Sequence, residues 1–446
     1  LKLRPYQEED VEVLKQNPSY GVFNEQRTGK TPTTLKALEA HNAKKTLIVC
    51  PASAVLQWQE EYEKWLGQWC DTLTGTKQKK EQIIKGWSHG LVCSHRALIN
   101  KNYLEAILKA KPDAVVIDEA HRMKNPNTAT AKAIFKFKNV KIKYALTGTP
   151  APNKPHEVWA ILHWLEPKVF PSYWRFIENY FITILQHMKG QTFKEVRGFK
   201  PGMYKVFSRI LSKMCIQRKR KEVMPWLPEK DRSRINLTPT PKQRKYLMEL
   251  KKYYETEHIM TEGVLDTLIR YRQICLHPTL IGLKGTSPKL DWLLEYVKDY
   301  PERPTIIFSK FTSFIKLLSK ELKDTPHGVI IGSTPLKQRN DLKLAFQKGE
   351  VKLLIINIDA GKEALTLDTA ECTIFTDKYP PANDILQAED RFVATTEEKA
   401  SKPHFILELV MEGTYDEQLY DLVDLRINEV DVVNNYKKYM TGGQND

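Results

Sequence analysis

The sequence predicts an α/β protein made of two parallel-sheet lobes with a mainly helical region between them. Three observations carry this expectation. Short β-rich apolar runs alternate with helical stretches in the first third of the chain, and the same alternation returns in the last third. The stretch between them is rich in Tyr, Trp, Lys and Arg, with helical periodicity and few strand runs.

In the first lobe the strand-like runs are residues 20–23, 46–50, 90–93, 114–117 and 143–146, separated by helical stretches such as 54–66 and 128–137. Apolar runs of this length without polar alternation fit strands covered on both faces. In the second lobe they recur at 305–308, 329–331, 353–356, 373–375 and 405–409. The expected domains are therefore 1–165, a helical insertion or linker at 166–285, and 286–446. Within the middle region, Lys189-Gly190 supplies turn chemistry between two β-prone flanks, so a hairpin is expected around 187–199.

A chain of 446 residues is long enough for two or three separate cores. Its 69 Lys plus Arg against 54 Asp plus Glu leave a net charge of +15, which favours a polyanionic partner, with nucleic acid the usual one. No apolar run approaches the roughly 20 residues needed to span a bilayer, and the opening residues lack a signal-peptide pattern. The six cysteines are dispersed, with no pair at metal-ligand spacing. A reducing compartment is expected, the cytoplasm or a host cell's cytoplasm, with the chain monomeric.

Two short motifs carry the chemistry. Gly29-Lys30-Thr31 follows the run 20–23, and Ala114-Val115-Val116-Ile117 leads into Asp118-Glu119-Ala120-His121. Each stands at the C-terminal end of an apolar run, where open α/β sheets bind ligands. Together they suggest the halves of a nucleoside-triphosphate site. Lys30 would neutralise β/γ-phosphate charge, Thr31 would ligate Mg²⁺, and Asp118 would hold the same ion from the neighbouring strand end. Glu119 would orient and deprotonate the attacking water. Asn24 stands where the standard phosphate-loop pattern begins with glycine.

These motifs belong to a longer series that resembles the superfamily 2 helicase-like ATPases of the Snf2 type, over nearly the whole chain and in family order. Leu3-Arg4-Pro5-Tyr6-Gln7 is similar to the opening motif, and residues 25–31 to the phosphate loop. Ile48-Val49-Cys50-Pro51 with Leu56-Gln57-Trp58 is similar to the first DNA-contacting motif, Asp118 to His121 to the DEAH box, and Leu146-Thr147-Gly148-Thr149-Pro150 to the coupling motif. In the last third, Ile306 to Phe311, Asp359 to Leu365 and Gln387-Ala388-Glu389-Asp390-Arg391 stand where the fourth, fifth and sixth motifs belong. Arg272-Gln273-Ile274-Cys275-Leu276-His277-Pro278 and the stretch from Gln217-Arg218-Lys219-Arg220 to Leu227-Pro228 resemble signatures specific to Snf2 proteins.

The resemblance implies two RecA-like lobes with ATP and Mg²⁺ bound between them. Arg4, Gln7, Arg27, Thr28, Gly29, Lys30, Thr31, Gly361 and Arg391 would hold the nucleotide, Gln7 reading the adenine. Thr31 and Asp118 would hold the metal, and Lys30, Asp118, Glu119 and Arg391 would be catalytic. His121, Thr147, Gly148, Thr149 and Gln387 would couple hydrolysis to movement, and Pro51, Ala52, Ser53, Ser309 and Lys310 would touch DNA. Three departures from the family pattern stand out. Arg27 replaces a phosphate-loop glycine, Lys362-Glu363 replace small residues of the fifth motif, and Ala394 stands where a second arginine would reach the γ-phosphate.

The resulting expectation is an ATP-dependent DNA helicase or translocase acting on duplex, forked or branched DNA in replication, recombination or repair. Ala394 keeps open a nucleotide-gated DNA clamp with impaired turnover. An RNA helicase of the related DEAH type is the other alternative, disfavoured by the two Snf2 signatures. The missing histone-reading module argues against chromatin remodelling. Among side chains with plainer roles, Trp58 and Trp65 read as a core stripe. The basic run 218–221 reads either as a solvated face or as a structural or DNA-facing element.

Overall fold

Apolar runs that are covered on both sides become the strands of two parallel sheets. The computed structural model describes residues 2–151, 154–188, 191–226, 231–256, 263–361, 367–378, 388–389 and 404–421. The chain divides into two units, built on Leu1–Pro225 and Trp226–Ile427.

The first unit contains β1 (Ser19–Val22), β2 (Thr46–Cys50), β3 (Cys70–Thr72), β4 (Gly90–Ser94), β5 (Ala114–Asp118), β6 (Ile142–Leu146), β7 (Phe181–Met188), β8 (Gln191–Phe199) and β9 (Cys215–Ile216). Among the described residues its main sheet has the order β3-β4-β2-β5-β6-β1-β9, with every pair parallel. Leu47 and Val49 enter one apolar core and Ile48 and Cys50 another, so alternate residues of β2 feed both faces. The helix Val55–Leu66 closes one face through Val55, Trp58 and Tyr62 and ends on Gly67, whose φ of 64° is the left-handed cap glycine adopts readily.

β7 and β8 pair antiparallel from Phe181↔Phe199 to Met188↔Gln191. Their base is held by an aromatic cluster in which Phe181 meets Phe199, Phe176 and Phe207. Farther out, Ile182 and Leu185 are exposed.

The second unit contains β10 (Asp231–Leu237), β11 (Thr305–Ser309), β12 (Gly328–Ile330), β13 (Leu353–Asn357), β14 (Cys372–Phe375) and β15 (Phe405–Met411), in the parallel order β10-β15-β14-β11-β13-β12. Cores again lie on both faces, Ile306 and Phe308 in one and Ile307 in the other. The fold class is the expected one. β10 has no counterpart among the sequence expectations because Asp231, Arg232, Ser233 and Arg234 break the apolar pattern. It lies at the sheet edge with those four residues exposed, where pairing with β15 rather than burial holds it.

The six cysteines are buried free thiols. Among the described residues no helix is long and apolar enough to cross a membrane.

Candidate nucleotide site

The loop leaving β1 is organised around Glu25. Its carbonyl accepts the Thr28 hydroxyl at 2.7 Å and Lys30 Nζ at 3.2 Å, and Lys30 also donates to the Asn24 carbonyl at 2.9 Å. Gly29 then turns with φ 77°, and a Cβ there would stand 2.1 Å from Gln7 Nε2. The positive φ favours glycine, and the crowding by Gln7 adds to that preference. Gln7 is itself buried against the loop: its amide donates to the Thr28 and Gly29 carbonyls at 3.3 and 3.4 Å, and its Oε1 accepts the Arg4 amide at 2.8 Å. Tyr6 adds a 2.8 Å hydroxyl bond to the Thr28 carbonyl.

Arg27 adopts φ 66°, a left-handed conformation natural to the glycine it replaces. The helix Lys30–Ala40 starts at Gly29 with no side chain capping it. An uncapped helix start that carries Lys30 and Thr31 in its first turn is the donor arrangement that suits phosphate.

Asp118 closes β5. Its Oδ2 accepts the Trp58 indole N–H at 2.9 Å and its Oδ1 accepts the Glu119 amide at 2.9 Å. Burial and the adjacent Glu119 carboxylate raise its pKa to about 6, against opposing pulls from the Trp58 hydrogen bond and the Lys30 charge. Its backbone carbonyl accepts Nε2–H of His95 at 2.9 Å. Burial chiefly lowers the His95 pKa to about 4, so this ring is neutral and acts as a fixed donor.

Glu119 has φ 48° and begins a short 3₁₀ turn, Ala120–Met123. His121 Nδ1 lies 3.1 Å from Glu119 Oε2 and 3.1 Å from Thr147 Oγ1. Thr147 Oγ1 in turn accepts the Thr149 amide at 3.1 Å. A Cβ on Gly148 would meet Gln26 Cγ at 3.1 Å, which brings the turn after β6 against the phosphate loop. Glu119, His121, Thr147 and the loop thus form one continuous set of contacts.

One sequence expectation is corrected here. Asp118 does not come from the strand beside β1, because β6 lies between β1 and β5. The two motifs still share one end of the sheet because all three strands run parallel, and Thr147 to Thr149 fill the interval. Pro51, Ala52 and Ser53 follow β2 at the same end, in and just before the 3₁₀ turn Ala52–Ala54.

In the second unit, Asp377 is the organising group. Its Oδ1 accepts the Ser309 hydroxyl at 2.9 Å and the Lys310 amide at 3.1 Å, and its Oδ2 pairs with Arg272 at 2.9 Å. Ser309 is buried and its hydroxyl is committed inward to Asp377. Lys310 Nζ reaches Asp359 at 2.7 Å. Gly361 ends the short helix Ile358–Gly361 after β13. Gln387, Arg391, Ala394 and Lys362-Glu363 lie outside the described residues.

Sequence reasoning missed Asp10, His95 and Asp377, and read Trp58 as part of the first DNA-contacting motif and of a core stripe. Trp58 is buried, as a core residue should be, but a buried indole N–H requires an acceptor, and Asp118 is that acceptor. That requirement was the available signal; only the folded chain shows which acceptor meets it.

The residues of the site fit a nucleoside triphosphate and a divalent cation. The uncapped helix start and Lys30 would hold phosphates, and Thr31 and Asp118 offer hard oxygen ligands. A divalent cation held there would offset phosphate charge during transfer.

Residues 11–280, more than half of the chain, match the SNF2-related domain. The chain belongs to the SNF2-related family. Residues 288–393 of this SNF2-related chain match the helicase conserved C-terminal domain. It is 23% identical to the human DNA annealing helicase and endonuclease ZRANB3 over 95% of its own length and 39% of that protein's. It is 25% identical to the Danio rerio chromodomain-helicase-DNA-binding protein 1-like over 97% of its own length and 44% of that protein's. The chain thus spans under half the length of these relatives. Among solved structures, the Sulfolobus solfataricus SWI2/SNF2 ATPase core in complex with dsDNA matches 100% of this chain and 95% of that one. The sequence identity is 22% and the TM-score 0.44.

Proposed function

We propose that this chain is a DNA-stimulated ATPase that uses MgATP hydrolysis to move along DNA, acting on forked or branched duplexes in replication, recombination or repair. The observation that carries this reading is the meeting of Lys30, Asp118, Glu119 and the His121–Thr147 contact at one end of one sheet, in a chain of this family. Lys30 would exchange its loop carbonyls for phosphate oxygens, and Thr31 and Asp118 would hold Mg²⁺, which would offset phosphate charge. Glu119 takes the proton of the attacking water, and His121 links Glu119 to the turn 147–149. Gly361, Gln387 and Arg391 are the further nucleotide-binding and coupling residues that the motif series implies, and the proposed domain limits are 1–165, 166–285 and 286–446.

DNA is held through phosphate contacts, at Pro51, Ala52 and Ser53 in one lobe and Lys310 in the other, with the net charge of +15 supporting them. The β7–β8 hairpin, with Lys194 and Arg197 exposed on its second strand, serves as a wedge at a fork. The name of the human relative, a DNA annealing helicase, supports DNA as the substrate. The cytoplasm, or a host cell's, is the proposed site of action.

A second reading rests on Ala394: a nucleotide-gated DNA clamp that binds ATP without turning it over. One experiment separates the two. ATPase rates are measured with duplex, single-stranded and forked DNA and with RNA as activators, alongside Lys30→Ala. The proposal expects stimulation by DNA and its loss in the variant. Nucleotide-dependent DNA binding without hydrolysis supports the clamp, and stimulation by RNA alone overturns both. Replacing 187–199 with a short Gly-Ser linker tests the wedge: fork unwinding is lost while duplex-stimulated ATPase remains.

A further inference from the structure

The basic segment after β9 has no assigned part in the chemistry, yet it is bound to the phosphate loop at several points. β9 pairs with β1 through Gly21↔Cys215 and Val22↔Ile216, and the pairing continues as the Phe23 amide donates to the Ile216 carbonyl at 2.8 Å and the Glu25 amide to the Arg218 carbonyl at 3.0 Å. The Glu25 carboxylate accepts the Arg220 amide at 2.9 Å and pairs with Arg220 Nε at 3.3 Å. Arg218 Nε donates to Asp10 Oδ1 at 2.8 Å, while Asp10 Oδ2 accepts Asn24 Nδ2 at 2.8 Å. Asp10 is fully buried, so one carboxylate locks the loop's first residue to the basic segment.

Glu25 therefore makes three kinds of contact. Its carbonyl receives Lys30, its amide donates to the Arg218 carbonyl, and its carboxylate receives Arg220. A phosphate is a stronger acceptor than a peptide carbonyl and competes for the Lys30 ammonium. When Lys30 turns to phosphate, the Glu25 peptide loses a cationic partner, and the same residue holds the basic segment by charge-assisted bonds. Soon after Arg220 the chain enters the second unit, at Trp226.

We propose that residues 217–220 form a relay that senses phosphate-loop occupancy through Glu25 and passes it along the chain toward the second unit, with Arg218 and Arg220 as positioning residues. This rests on the reading that the loop binds nucleotide. Coupling of this kind requires only that the segment's contacts differ between the two loop states.

The test is amide hydrogen exchange over residues 217–223 in the full chain, with and without a non-hydrolysable ATP analogue, in the parent, Glu25→Gln and Arg220→Lys. Analogue affinity and thermal stability are followed in parallel. The relay expects analogue binding to change exchange in this segment by about fivefold or more in the parent, the low end of measured site-to-site couplings. It expects Glu25→Gln, compared at saturating analogue, to lose the response, and Arg220→Lys, which keeps the charge, to respond partially. A parent that binds the analogue without a response in 217–223, or an undiminished response in Glu25→Gln, overturns the relay and leaves the nucleotide site standing. A parent that fails to bind the analogue, or whose affinity is indifferent to Lys30→Ala, overturns the nucleotide site and the relay with it.

Discussion

The indole N–H of Trp58 points at Asp118 Oδ2 across 2.9 Å, joining a helix that packs on the sheet to the carboxylate at the end of β5. The bond favours the ionised carboxylate and opposes the burial that raises its pKa. Trp58→Phe keeps most of the apolar contact and removes the donor. The expected result is a further rise in the Asp118 pKa and a loss of roughly three- to tenfold in Mg²⁺-dependent nucleotide affinity near pH 7, the net scale of one intramolecular hydrogen bond. A Mg²⁺ titration of nucleotide binding checks it. An unchanged titration would reduce Trp58 to a packing residue.

Asp118 also sets a pH dependence. With a pKa of about 6, a proton competes with the metal, so Mg²⁺-nucleotide affinity should fall by about tenfold per pH unit below that value. The stability contribution has the opposite sign. The folded pKa lies above the ordinary 3.8, so the folded chain holds this proton more tightly. That stabilisation is full below 3.8 and is lost as pH rises through about 6. Nucleotide affinity measured from pH 5 to 8 tests the first statement; a flat profile would contradict the shift.

Arg27 bears the cost of a left-handed backbone at φ 66°. Releasing that strain is worth about 1–2 kcal/mol, and the extra freedom of an unfolded glycine takes back about 0.5–1 kcal/mol. Arg27→Gly should therefore stabilise the chain by about 0.5–1 kcal/mol, seen as a small rise in melting temperature. A fall would show that the Arg27 side chain's interactions outweigh the strain.

Gly29 is left-handed as well, but Gln7 occupies the space beside it. Gly29→Ala should lose nucleotide binding, and adding Gln7→Ala should restore only part of it, because the steric conflict is relieved while the positive φ remains. Full recovery in the double variant would mean that the backbone angle matters little here.

Lys30→Ala and Glu119→Gln should fail differently. The first loses nucleotide binding and ATPase together while DNA affinity persists. The second keeps nucleotide bound and slows single-turnover hydrolysis by about 10²–10⁴-fold, the usual worth of a positioned base. Normal hydrolysis in Glu119→Gln would remove it from that role.

The local patterns in the chain determined where the sheets would form. The runs at 46–50, 114–117 and 353–356 are uninterrupted apolar stretches, and the corresponding strands are buried throughout. The order of the short motifs likewise announced Gly29-Lys30-Thr31 and Asp118-Glu119, since each needs only its own few residues and a strand end. Tertiary structure decided what long-range contacts impose. Strand order placed β6 between β1 and β5, because parallel neighbours are chosen by packing on both faces rather than by sequence proximity. Ser309 turned inward because Asp377, distant in sequence, lies where its hydroxyl points. The basic run 218–221 reads either as a solvated face or as a structural or DNA-facing element until folding sets Arg218 beside Asp10 and Arg220 beside Glu25. A charged or polar side chain takes its role from its partner, and these partners are chosen by the fold.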